Sequence, residues 1–140
     1  MRSLLATLLT LTLPAQLANA MTDDPLAVQA AIEPGSREWI ALEAERSLKE
    51  LVASAAIGED GEVYLTRALS EPEFLEPESG YYWQIEAEGR DPFTSRSLWD
   101  RTLDADSDGK AGEPLVIAER RVMLPGSDLV WRFRVARRAG

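Results

Sequence analysis

Between Ser36 and Ala55 the apolar residues Ala41, Ala44, Leu48, Leu51, Val52 and Ala55 recur three and four positions apart. That spacing lines one face of a helix. Ser36 is placed to cap it, since a serine hydroxyl accepts a first-turn N–H, and Glu38 sits where the helix dipole favours an anion. Glu45 and Lys49 add an i,i+4 pair on the polar side. Gly58-Glu59-Asp60-Gly61 breaks the period, predicting a turn before a short strand over residues 62–65. Residues 69–80 carry two prolines and several acidic breaks, which reads as loop with one helical turn over 71–75.

The pattern then changes to strands, over residues 81–86, 94–99 and 114–124. A fourth run covers residues 129–135, where Leu129, Trp131, Phe133 and Val135 alternate with Val130, Arg132 and Arg134, so one face is buried and the other cationic. Pro125-Gly126-Ser127-Asp128 between the final two runs predicts an antiparallel hairpin. A long helix followed by a mostly antiparallel sheet is the α+β class. The chain length suits one such domain, over residues 36–136, with a lead-in at 21–35 holding a weak helical turn at 26–32 and a tail at 137–140.

The first 20 residues read differently. Arg2 supplies a basic start, residues 4–13 are apolar apart from threonines, Pro14 ends the run, and Ala18-Asn19-Ala20 has the small-x-small form of a cleavage site. The apolar run is too short to span a membrane. The expectation is a signal peptide cut after Ala20 and a periplasmic protein. Removing Arg2 leaves 14 basic against 24 acidic residues, a net charge of −10. Such a balance does not suit a phosphate backbone, so no nucleic-acid partner is expected; divalent cations or basic partners fit better. The chain has no cysteine and no histidine, which excludes disulfides, thiol and imidazole catalysis and most zinc sites.

Gly80-Tyr81-Tyr82-Trp83-Gln84-Ile85, Ser95-Arg96-Ser97-Leu98-Trp99-Asp100, Glu119-Arg120-Arg121-Val122 and Leu124-Pro125-Gly126 occur in that order. Together they resemble the periplasmic input domain of PhoQ-like proteobacterial sensor histidine kinases, over roughly residues 36–136. The resemblance implies a PAS-like (PDC-type) sensor domain, a membrane signalling partner, and self-dimerisation through the first helix. It implies sensing without catalysis, because the chain shows no phosphoacceptor histidine, kinase core or flanking membrane helices.

Asp104-Ala105-Asp106-Ser107-Asp108-Gly109 matches the opening of a calcium loop, in which alternate oxygens face one cation. Position twelve is Leu115 rather than an acid, and Glu113 falls at position ten, so Asp104, Asp106, Asp108 and Glu113 make a half-complete set for Ca2+ or Mg2+. The plainer reading is a solvated turn. Glu71, Glu73, Glu76 and Glu78 form an acidic stretch able to meet a cation or a cationic partner. Strand alternation turns Tyr82 and Gln84 away from the core face, and with Arg96 they complete the candidate ligand or partner surface. Trp83 and Trp99 are expected in the core, and Arg96 with Asp100 as an ion pair. Two rivals to a sensing domain are a small secreted hydrolase working through carboxylates and a calcium-stabilised structural domain; no nucleophile or phosphate-binding motif supports an enzyme.

Expressed with its own first 20 residues in a Gram-negative host, the chain is expected in the periplasmic fraction with Met21 at its N-terminus by mass spectrometry. Recovery of a product that still begins at Met1 would refute the cleavage.

Overall fold

The computed structural model describes residues 32–103 and 114–139. Residues 1–31, with the expected leader and nearly all of the expected lead-in, and residues 104–113 lie outside these residues. Met1–Trp39 and Ile40–Gly140 are separate compact units. The Ser36 hydroxyl accepts the Trp39 N–H at 3.2 Å, the expected cap, and helix α1 spans Arg37–Ser54, with residues 40–54 in the second unit.

The second unit is built on a four-stranded antiparallel sheet. Its strands are β3 (Tyr81–Glu86), β4 (Phe93–Thr94), β5 (Leu115–Met123) and β6 (Val130–Arg138), in the order β4-β3-β6-β5. The β5–β6 hairpin forms as the turn residues predict, pairing Met123 with Val130 and Leu115 with Arg138. β6 therefore runs beyond residue 136, and Arg137 and Arg138 belong to the sheet rather than to a tail. A separate hairpin pairs β1 (Ala55–Ile57) with β2 (Val63–Leu65).

Helix α1 stops at Ser54 because its last carbonyl is taken by the hairpin. The Ser54 carbonyl accepts both the Thr66 N–H at 2.7 Å and the Thr66 hydroxyl at 3.0 Å. Ala55, expected as the last helical apolar residue, is instead the first residue of β1. Gly61, at φ 80°, closes the turn in a conformation that a side chain would strain.

One sheet face carries the main core. Ala44, Leu48 and Leu51 of α1 pack with Val63, Phe74, Trp83, Ile85, Ala118, Trp131, Phe133 and Val135. The Trp131 indole N–H, which needs a partner when buried, donates to the Ser127 hydroxyl at 3.1 Å. The opposite face carries a second cluster, Tyr82, Leu98, Leu103 and Ala136, with Leu115 against it. Both faces of β3 are thus covered.

That second layer corrects four expectations. Residues 94–99 are not one strand: β4 ends at Thr94 and a 3-10 turn, Arg96–Leu98, follows. The cause is a pair of serines. Ser95 exchanges with Trp83 twice, its N–H donating to the Trp83 carbonyl at 2.9 Å and its hydroxyl accepting the Trp83 N–H at 3.0 Å. The Ser97 hydroxyl donates to the Tyr81 carbonyl. Side-chain oxygens replace the ladder there, and the chain turns over the sheet instead of along it. Tyr82 and Gln84 are consequently buried, not on the surface. Trp99, just past the turn, is 66% exposed at φ 59°, so it is not a core residue. Arg96 and Asp100 are both exposed, and among the described residues no ion pair joins them.

The two tryptophans should separate cleanly in urea denaturation. Trp83→Ala is expected to cost roughly 3–5 kcal/mol, as large-to-small core changes do, and Trp99→Ala no more than about 0.5 kcal/mol. Equal losses would contradict this packing.

Candidate functional site

The register arranges the sheet face turned away from α1 as rows. Arg121 of β5, Arg132 of β6 and Glu86 of β3 form one; Glu119, Arg134 and Gln84 form the next; Ile117, Ala136 and Tyr82 the third. Charged residues at neighbouring positions on one face lie about 5 Å apart at Cβ, close enough to interact.

Glu86 is the hub. It accepts hydrogen bonds from Gln84 Nε2 at 2.8 Å and from the Arg134 guanidinium, and Arg132 stands 3.1 Å away. Arg134 is 2% exposed. Its Nη2 also donates to the Leu103 carbonyl at 2.6 Å, which Gln84 Nε2 joins at 3.0 Å, while the Leu103 N–H donates back to Gln84 Oε1 at 2.6 Å. Leu103 is therefore fixed through both of its backbone polar groups. The polar network ties the cover of the second face to the central strands.

Burial pushes the Glu86 carboxyl up, but the hydrogen bonds from Gln84, Arg134 and Arg132, with the charge of Arg134, outweigh it and hold the group below its ordinary value of 4.5. Glu86 is thus ionised at neutral pH. Beyond it the face opens into a concavity of about 300 Å³ lined by Glu86, Ala87, Glu88, Arg121, Val130 and Arg132. Arg121 and Arg132 are directly opposite one another there, two like charges on adjacent strands. Their neighbours Glu119, 3.6 Å from Arg121, and Glu86 compensate them within the sheet.

The residues singled out in the sequence do not converge. The Glu71 carboxylate accepts the Ser47 hydroxyl at 3.4 Å. Glu73 lies in a 3-10 turn, Pro72–Leu75, and its carbonyl accepts the Ser79 hydroxyl at 2.6 Å. Glu76 is exposed. Glu78 holds Arg101 through two bonds, at 3.2 and 2.9 Å, with the Arg101 guanidinium 5.4 Å from the Tyr82 ring centre. At least two of the four glutamates thus support the fold. Among the described residues no three acidic side chains gather as a cation site, and Asp104, Asp106, Asp108 and Glu113 lie outside them. Gln84 does belong to the site, as an internal strut. Arg96 is not among the residues that line the concavity.

Glu86, Arg121, Arg132 and Arg134 were not candidates in the sequence, although a signal exists. Gln84 and Glu86 alternate with the apolar positions of β3, and Arg132 and Arg134 do the same in β6, so antiparallel pairing sets acid against base on one face. Comparison with known protein families, with characterised proteins and with solved structures finds no match for the chain. No helix among the described residues is long and apolar enough to cross a membrane.

Glu86→Gln is expected to destabilise the chain by roughly 2–3 kcal/mol at pH 7, somewhat under the cost of breaking a fully buried pair. Because the folded-state value lies below 4.5, the contribution is complete above that pH and fades as pH falls through the folded value. Urea titrations of the wild type and variant should converge in acid, and a gap that stays constant to low pH would contradict the ionised hub.

Proposed function

We propose that this chain is a non-catalytic, exported binding domain of PAS-like design, acting as an extracytoplasmic input module. Its ligand, on this reading, is a small molecule bearing a carboxylate or phosphate, held by Arg121 and Arg132. The observation that carries the reading is the open concavity in which these two arginines stand opposite one another on β5 and β6. Paired guanidiniums present parallel N–H donors that match an oxyanion. Because Glu86, itself held by Arg134, pairs with Arg132 at 3.1 Å, binding at the mouth needs little reorganisation.

The resemblance to sensor-kinase input domains supports the signalling part, as does the α+β architecture of a helix on antiparallel strands. Glu86 also fits binding better than hydrolysis. A general acid needs a carboxyl raised toward neutral pH, whereas this one is lowered. A membrane-anchored signalling protein would be the partner that reads the bound state.

Thermal melts of residues 21–140 in millimolar phosphate, succinate or glutamate, against chloride at equal ionic strength, test the reading. At least one of these anions should raise Tm by several degrees, as expected when ligand well exceeds Kd, and Arg132→Gln should abolish the shift. A shift produced only by calcium or magnesium, and removed by EDTA, would transfer binding to the acidic loops. No anion shift, or one that persists in Arg132→Gln, would overturn it.

A further inference from the structure

The two edges of the four-stranded sheet are treated very differently. β4 is two residues long, follows Pro92, and gives way at once to the Ser95–Ser97 turn. It offers almost nothing to pair with. β5 is nine residues long, contains neither proline nor glycine, and is matched residue for residue with β6 without a bulge. Among the described residues no strand pairs with its outer side. An edge of this length and regularity is a template for another strand unless its side chains forbid it.

The side chains of β5 are mostly exposed, including Ile117 at 37% and Met123 at 60% on the face turned from α1. Glu119, Arg120 and Arg121 occupy the middle. Charges at an edge ordinarily repel a partner strand. Here their order makes β5 complementary to itself.

We propose that two copies of this chain join antiparallel through the outer edge of β5, about a two-fold axis at Arg120, and merge their sheets into one of eight strands. In that register Glu119 of each copy faces Arg121 of the other, and Ile117 of each faces Met123 of the other, all on one side of the sheet. Ala118 faces Val122 on the α1 side. Every contact occurs twice, as a two-fold interface requires. Arg120 meets its own counterpart on the axis, but each already has Glu45 of α1 at 3.6 Å, so the axis gathers two cations and two anions. Centring the pair on Glu119 instead would oppose two glutamates and leave Arg121 against Ile117. Centring it on Arg121 would add two arginines beside Arg132. This edge is distinct from the helix that the kinase resemblance would use; of the residues lining the concavity proposed for the ligand it shares Arg121 alone.

The chain has no cysteine, so single thiols report the register directly. Sedimentation of the full mature chain should show a concentration-dependent dimer. Glu119→Arg and Arg121→Glu should each weaken it about tenfold or more, and the double exchange should restore it, because each single change sets like charges opposite and the double change does not. Arg120→Cys should form an intermolecular disulfide on mild oxidation, with Glu119→Cys and Arg121→Cys much slower. All these positions are exposed, and circular dichroism should confirm that each variant folds. A wild-type monomer at sub-millimolar concentration would overturn the proposal. So would a dimer indifferent to both charge reversals, or cross-linking that peaks at residue 119 or 121.

Discussion

A guanidinium buried in the middle of a sheet dictates much of this architecture. Arg134 sits on β6, between β3 and β5, with 2% of its surface in water. A charge in that position is tolerable only if its partners are supplied by neighbours already in place. Glu86 on the adjacent strand gives the counter-charge, and the Leu103 carbonyl gives a neutral acceptor. The first demand fixes the register of β3 against β6. The second brings the chain from β4 back across the sheet, so that Leu98 and Leu103 can cover Tyr82 and Ala136. One side chain therefore couples strand alignment to the closing of the second layer.

The two layers use different physics. Beneath α1, packing is almost wholly apolar, with Trp131, Phe133 and Val135 of β6 against Leu48 and Leu51. Peripheral polar contacts there secure aromatic edges, as where Arg137 lies 4.0 Å over the Tyr81 ring and pairs with Glu43 at 2.7 Å. On the other side the apolar cluster is small, and specificity comes from hydrogen bonds made by Gln84, Ser95, Ser97 and Arg134. A hydrogen-bonded polar layer favours one arrangement over its competitors more than it adds to total stability. The open end of that layer leaves Arg121 and Arg132 at a concavity while their supports remain inside.

How much was legible follows from this division. Helix α1 and the β5–β6 hairpin announce themselves through periodicity and turn chemistry, which are local properties. The β5–β6 turn is written in Pro125-Gly126, and Gly126 takes φ 89°. The second layer has no period. It depends on two serines bonding to a strand more than ten residues earlier, and on an arginine whose alternation looks like that of a wet surface. Sequence alternation separates the two faces of a strand but does not say that both are covered, so Tyr82 and Gln84 read as outward. Trp99 fails for the converse reason: its size argues for burial, while the turn that ends at Leu98 aims it outward. The candidate site is missed because its hub, Glu86, lies 48 residues before Arg134 and becomes its neighbour only through the β3–β6 register.

The chain order of the sheet also carries a temporal meaning. β6, one of the two central strands, follows every other described element in sequence, while β3 begins at Tyr81 and the helix at Arg37. A polypeptide that emerges N-terminus first can form α1 and the β1–β2 hairpin early, since their contacts are short in sequence. Neither hydrophobic layer can close until Val130–Arg138 arrives, because both rest on that strand. Assembly must await long-range pairings, which are slow to find. A nascent copy thus stays open until β6 itself has emerged and found its place between β3 and β5.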